Sequence, residues 1–277
     1  MRVAVPVIDP VWLIFSRVGL GALVLAAVAL QIGSSLGFTR HWRHFLVLGL
    51  FNAALPWLLY AYAAKMVSAS LMSIMNSTAP MWAALIGAIW TRRMMSLRAA
   101  AGLLLGVAGV AVLAGGEALM LPAGGGMAIT ATLMAAACYG FATVYAKSGQ
   151  AVEPLANAQG TMLAATLLIF PLLTLSPWPD AMLAWHVAGA VLALGVVCSG
   201  LAFLLYFRLV ADVGPTSALT VAFLIPVFGV LWGALFLNEA VGWHTLAGCV
   251  IVLTGTAMVT GFSPRALRRL RDSRGGD

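Results

Sequence analysis

The stretch Asn76-Ser77-Thr78-Ala79-Pro80-Met81-Trp82-Ala83-Ala84-Leu85-Ile86-Gly87 returns 146 positions later as Ala222-Phe223-Leu224-Ile225-Pro226-Val227-Phe228-Gly229-Val230-Leu231-Trp232-Gly233. Proline and glycine keep their places in both copies. The same shift lays Gly49 on Gly195, Tyr60 on Tyr206, Gly102 on Gly248 and Gly109 on Gly255. One unit is therefore written twice in an apolar chain. Duplicated membrane units supply two bundles, and a site between them can face either side in turn, so the pattern points to a carrier.

Composition places that unit in lipid. Hydrophobic residues make up 62% of 277 positions and charged residues 8%, with a mean hydropathy of +1.03. Soluble domains devote about a quarter of their residues to charge, so most of this surface does not face water. The 29 glycines suit close helix packing. The basic pI of about 9.9 does not mark a nucleic-acid partner, because the cations punctuate apolar runs instead of forming a patch. Cys138, Cys198 and Cys249 each lie within apolar runs without pairing or ligand spacing, and buried inert thiols are expected.

Nine runs are long enough to cross a bilayer: about 11–32, 45–64, 68–90, 98–115, 127–147, 155–175, 187–209, 215–237 and 245–262. Continuous Leu, Val, Ala and Gly predict helices, which satisfy their own backbone polar groups. A barrel would alternate over about ten residues. The expected class is thus an all-α integral membrane protein with nine transmembrane helices. The run after Pro10 is too long for a signal peptide and has a repeat partner, so it reads as a true span.

Lys and Arg set the orientation. With the tail of Arg265, Arg268, Arg269, Arg271 and Arg274 in the cytoplasm, alternate connectors carry Arg40 and Arg43, Arg92, Arg93 and Arg98, Lys147, and Arg208. Arg2 and Lys65 fall outside, and Arg17 falls within a span. Positive residues favour the cytoplasmic side, which places the C-terminus inside, at the cell (inner) membrane.

The offset pairs the second span with the seventh, the third with the eighth and the fourth with the ninth. An odd number of spans separates each pair, so the copies are expected to lie inverted. Asp9-Pro10 before the first span matches Glu153-Pro154 before the sixth. The 127–147 run then has no counterpart in the first copy, which suggests a ten-helix, 5+5 parent lacking its first helix. The expected units are 1–115 with four helices, 116–262 with five, and a basic cytoplasmic tail at 263–277.

The stretch from Pro226 through Phe236-Leu237-Asn238-Glu239 to Gly248 and Gly255 resembles the end of an EamA domain of the drug/metabolite transporter superfamily, and Pro80 to Gly109 follows the same plan. The resemblance implies ten helices, cytoplasmic termini, and export or exchange of small metabolites, amino acids among them. Glu239 aligns with Arg93 in the other copy, so it reads as a carboxylate bonding donors at a helix end and not as an ion-coupling group.

Candidate cargo residues follow from the cost of burying polar groups. An ionisable group deep in lipid costs about 2.5–3.5 kcal/mol to insert. Arg17 has two readings: it snorkels to the outer interface, or it faces the cavity and binds a carboxylate. Pro80 cannot donate to the helix ladder and disturbs the carbonyl near Asn76. Asn76 then either meets a neutral polar ligand or bonds another helix. Asn52, Trp57, Tyr60, Tyr139, Gln159 and Tyr206 are further substrate-binding candidates, with aromatic belts as the alternative, to which Trp178, Trp185 and Trp243 are assigned. Pro56, Pro80 and Pro226 are candidate kinks or gates. The glycine pairs Gly102 with Gly106 and Gly229 with Gly233 read as helix contacts.

These features favour a secondary transporter of small neutral, zwitterionic or amphipathic metabolites, working by alternating access, with membrane lipids and a small-molecule substrate as its partners. A sugar-phosphate or nucleotide-sugar carrier would need more cations than one intramembrane arginine. A truncated bundle, inactive or dependent on a partner, is the other alternative. His41, His44, His186 and His244 fall in connectors and no acidic residue falls mid-span, so no catalytic residue, metal or cofactor is expected. The same scarcity favours facilitated diffusion or exchange over proton antiport.

Overall fold

Long apolar runs form helices because no water is present to take their backbone groups. The computed structural model describes residues 1–33, 37–118, 124–148, 152–178, 184–205 and 221–261, and those residues are helical with short connections. In chain order the helices are α1 (Pro10–Gln31), α2 (Phe38–Leu48), the π-helical segment π1 (Gly49–Ala54) and α3 (Leu55–Ala63). Then come α4 (Ala69–Asn76), α5 (Ala79–Thr91), α6 (Leu97–Ala118) and α7 (Gly125–Ser148). The second half contributes α8 (Pro154–Ile169), a 3-10 turn (Phe170–Leu175), α9 (Trp185–Leu192), π2 (Ala193–Leu201), α10 (Val221–Leu237) and α11 (Trp243–Thr260).

Seven helical stretches among the described residues are long and apolar enough to cross a membrane. Two departures from the expected spans have local causes. The run at 68–90 is broken into α4 and α5 at Ser77 and Thr78, because Pro80 sits in the first turn of α5 and offers no N–H to the preceding turn. The second span begins at Phe38, not near 45, since α2 runs straight into π1 and α3. That extension carries His41 and His44 into a helix. His186 and His244 likewise lie in the first turns of α9 and α11, so the expectation that all four occupy connectors is corrected.

Gly49 and Gly195 are repeat mates, and each opens onto a helix of the opposite copy. A Cβ on Gly49 would stand 2.8 Å from Ala164 Cβ in α8, and one on Gly195 would stand 2.5 Å from Leu20 Cβ in α1. Both glycines lie in π-helical turns. Pro56, which lacks the N–H that would close on Asn52, contributes to π1. The equivalent residue after π2 is Ala202, so proline is not required for the wide turn.

The repeat-mate helices α6 and α11 run antiparallel. Gly102 meets Val259 and Gly255, Gly109 meets Val252, and Leu113 meets Gly248. Adding 146 to one partner and subtracting it from the other converts Gly102–Val259 into Gly248–Leu113, and Gly106–Gly255 into Val252–Gly109; all four contacts are present. The interface is therefore self-complementary about a local two-fold axis, as in a symmetric dimer.

Two hydrophobic clusters flank the centre. One gathers Leu13, Ile14, Val18, Leu25, Trp57, Met162 and Ile169 from α1, α3 and α8. The other gathers Leu71, Ile74, Met75, Met81, Leu113 and Val252 from α4, α5, α6 and α11. Met72 packs against both. Large apolar side chains such as Leu104, Leu167, Phe228 and Val250 stay exposed on helix surfaces, as expected where lipid is the solvent. Trp178, Trp185 and Trp243 are also exposed. Cys138 and Cys249 are buried, but Cys198 is exposed, because the π2 turn rotates it away from the packed side that holds Ser199 and Gly200.

Candidate functional site

Arg17 turns toward π2 and α3. Its Nε–H donates to Ser199 Oγ at 3.1 Å, and its guanidinium carbon lies 3.6 Å from the centre of the Trp57 ring. Ser199 is fully buried and belongs to π2, where its hydroxyl donates to the Leu194 carbonyl five residues back. Gly21 lets α1 lie close against this turn: a Cβ there would be 3.0 Å from Ser199 Cβ. The second copy thus supplies the acceptor and the first copy the aromatic face for one cation.

The polar contacts continue inward. Trp57 Nε1–H donates to Tyr139 Oη at 2.6 Å, the Tyr139 and Tyr60 rings stack with centres 6.2 Å apart, and Tyr60 Oη–H donates to Asn76 Oδ1 at 2.8 Å. Arg17, Trp57, Tyr60, Asn76 and Tyr139, distant in sequence, form one cluster on the seam between the two copies, Tyr139 coming from the second. Trp57 is buried at 5% exposure, while Arg17, Tyr60, Asn76 and Tyr139 are only partly buried. Asn76 bonds another helix, through Tyr60 of α3.

The break beside Asn76 is held from the second copy. Ser77 and Thr78 hydroxyls bond back to the Ile74 and Met75 carbonyls, each at 2.6 Å, and the Ser77 carbonyl accepts from Thr256 Oγ1 of α11 at 3.0 Å. Pro80 thus marks a real discontinuity. Pro226, its mate, lies inside α10, and Pro56 lies in the first turn of α3. Asn52 is in π1 and half-buried, outside the hydrogen-bonded cluster. Tyr206 lies outside the described residues.

Gln159 goes elsewhere. With Phe15, Gly19, Leu23, Leu163 and Val191 it lines an open-sided, mainly apolar groove of about 610 Å³ between α1, α8 and α9. Phe15, Gly19, Ala22 and Ala26 repeat along one face of α1, and Arg17 stands on the opposite face. Gln159 and Arg17 are therefore separated by the body of a helix.

Glu239 acts as a structural carboxylate at a helix end, as its alignment with Arg93 suggested. Oε1 accepts from Ala69 N at 2.7 Å and from Arg2 at 2.6 Å, and Oε2 accepts from Ser70 N at 3.0 Å and Ser70 Oγ at 2.8 Å. Burial opposes its charge, but these donors outweigh burial and hold its carboxyl below the usual carboxylate range. The contact ties the loop after α10 to the N-terminus of α4. Toward the other end of the α2–α3 helix, His44 is buried, its Nε2 3.0 Å from Asn157 Oδ1, and its ring stacks on Tyr145.

Two positions were missed from sequence, Ser199 and Thr256. The mate of Ser199 is Ala53, but polar-for-apolar changes are frequent between the copies, as at Asn76–Ala222, Ser77–Phe223 and Thr78–Leu224, so Ser199 did not stand out.

Comparisons with known proteins agree with this architecture. The family model described as "EamA-like transporter family" matches residues 1–115 and 126–261. The uncharacterized transporter YvbV of Bacillus subtilis is 27% identical over 253 residues, spanning 88% of this chain and 80% of that protein. An uncharacterized transporter of Archaeoglobus fulgidus is 25% identical over 274 residues, spanning 94% and 91%. A solved crystal structure superposes with a TM-score of 0.65 at 21% identity, covering 95% of this chain and 91% of that one, and so shares the fold.

Proposed function

The chain belongs to the EamA-like transporter family, and from that premise we propose that it is a secondary carrier of small zwitterionic or amphipathic metabolites, working by alternating access between inverted repeats. Its membrane-spanning helices and its uncharacterized transporter relatives support a multi-pass membrane transporter. The inverted 5+5 plan draws support from the antiparallel contact of the mates α6 and α11. The cell (inner) membrane and a cytoplasmic C-terminus follow from the sidedness of Lys and Arg.

The observation that carries the cargo reading is Arg17. It bridges Ser199 of one copy and Trp57 of the other, and no carboxylate pairs with it among the described residues. A cation kept in a membrane interior without a fixed counter-ion is suited to a transient one. Rocking one bundle against the other would expose this seam to each side in turn. Exchange or facilitated diffusion is the proposed energetics, since no carboxylate borders the seam among the described residues.

The test is uptake into proteoliposomes of a panel of labelled amino acids and related metabolites, by the native chain and by Arg17→Lys and Arg17→Leu. Arg17→Leu is expected to abolish uptake of the transported compounds and Arg17→Lys to retain part of it. Equal activity of the two variants would remove Arg17 from cargo binding. Strong dependence on an imposed pH gradient would replace exchange with proton coupling.

A further inference from the structure

We infer that the site takes a monoanionic carboxylate end-on, through the two Nη groups of Arg17, and that Ser199 is the positioning residue that enforces this geometry. The inference rests on the carrier reading above and adds the ligand's charged group and the manner of its capture.

A guanidinium can receive a carboxylate along two edges, one made by Nε and an Nη group and one made by the two Nη groups. Here the Nε–H is committed to Ser199 Oγ at 3.1 Å. One face of the plane is covered by Trp57 at 3.6 Å. Among the described residues, the edge left without a partner is the pair of Nη groups. Ser199 holds this assignment firmly because its own hydrogen is spent on the Leu194 carbonyl at 3.0 Å, leaving oxygen lone pairs for Arg17. That second bond spans five residues and depends on the wide turn of π2. The mate position in π1 is Ala53, which cannot accept, and the residue matching Arg17 in α8 is Thr161. The two-fold scaffold thus contains one clamp, and the clamp is built where the repeat symmetry is broken.

The rest of the seam limits the ligand. Tyr60, Tyr139 and Asn76 are neutral and already exchange hydrogen bonds with one another or with Trp57. Among the described residues Arg17 is the only Lys or Arg in the middle of a spanning helix. The two Nη groups, without a protein acceptor among the described residues, match the two oxygens of a single carboxylate. The ligand class is therefore a small organic monocarboxylate, with or without an amino group.

Four matched probes test this on the purified full chain in detergent by calorimetric titration: L-leucine, 4-methylpentanoate, 3-methylbutylamine and 3-methylbutyl phosphate. The two carboxylates are expected to bind at least as tightly as the phosphate, and the amine at least tenfold more weakly. Ser199→Ala should weaken the carboxylates about tenfold, the loss of one charge-assisted hydrogen bond. Ser199→Thr should restore them, and neither change should alter the amine. Melting temperature, read in parallel, separates misfolding from lost positioning, because Ser199→Thr keeps the hydroxyl. Tighter binding of the phosphate, equal carboxylate binding by native chain and Ser199→Ala, or no carboxylate binding would overturn the inference. If the carboxylates bind as expected but are not moved across proteoliposomes, the clamp stands and the carrier reading fails. If they are moved while Ser199→Ala binds them like the native chain, the clamp fails and the carrier reading stands.

Discussion

Gly102 and Gly255 face each other so closely that a Cβ on either would strike the other's carbonyl oxygen, at 2.7 Å and 2.6 Å respectively. They sit at a backbone-to-backbone approach of α6 and α11, where the two copies meet as antiparallel mates. The obstructing atoms are backbone, so the helices themselves would have to separate. Gly102→Ala is expected to lower the melting temperature in detergent, overpacking of about 1–3 kcal/mol exceeding the helix propensity gained. Gly115→Ala, on the same helix with no neighbour within 4 Å, should be neutral or slightly stabilising by about 1 kcal/mol or less. Equal effects at the two sites would refute this contact.

Trp57 both underlies the Arg17 guanidinium and donates to Tyr139. Trp57→Leu removes the ring and the donor together. A desolvated cation–π contact is worth about 2 kcal/mol, so transport affinity should fall by more than tenfold. Tyr139→Phe removes only the acceptor and should have a smaller effect. The ordering of the two variants in uptake assays is the check.

Thr256 is 2% exposed and its hydroxyl serves the carbonyl released at the α4–α5 break. Thr256→Val keeps the shape and leaves that carbonyl unsatisfied, at a cost of about 1–3 kcal/mol. A lower melting temperature with unchanged preference among transported compounds is expected. A shift in preference instead would move Thr256 from the scaffold to the site.

Glu239 links acid sensitivity to the α4 contact. Its carboxyl titrates lower in the folded chain than in the unfolded one, so the folded state is favoured while Glu239 is ionised. That contribution is complete above the ordinary carboxylate range and is lost as pH falls through the lowered folded value. Melting temperature should therefore fall on acidification in the native chain. In Glu239→Gln this component should be absent and the protein less stable at neutral pH. An unchanged acid slope in the variant would count against the assignment.

The spans, the duplication and the glycine contacts were legible in the chain because lipid imposes them locally. A helix in a bilayer must be apolar over its whole length, and a close crossing must be lined by small residues, so Gly102 and Gly106 announced their role. The break at Asn76 could also be read, since Pro80 removes a donor wherever it stands. Arg17 could be singled out by its cost, but its two possible orientations differ only in what surrounds α1.

That choice belonged to the tertiary structure. A π turn inserts an extra residue and rotates everything after it by about 100° relative to a regular helix. Counting along 187–209 therefore could not bring Ser199 to Arg17, nor turn Cys198 outward. Gln159 shows the same limit: its span was evident, but only the packing of α8 against α1 put it in the groove, across the helix from Arg17. Which residues are costly in lipid is a property of the residues themselves; the phase of each helix against its neighbours decided which of them meet.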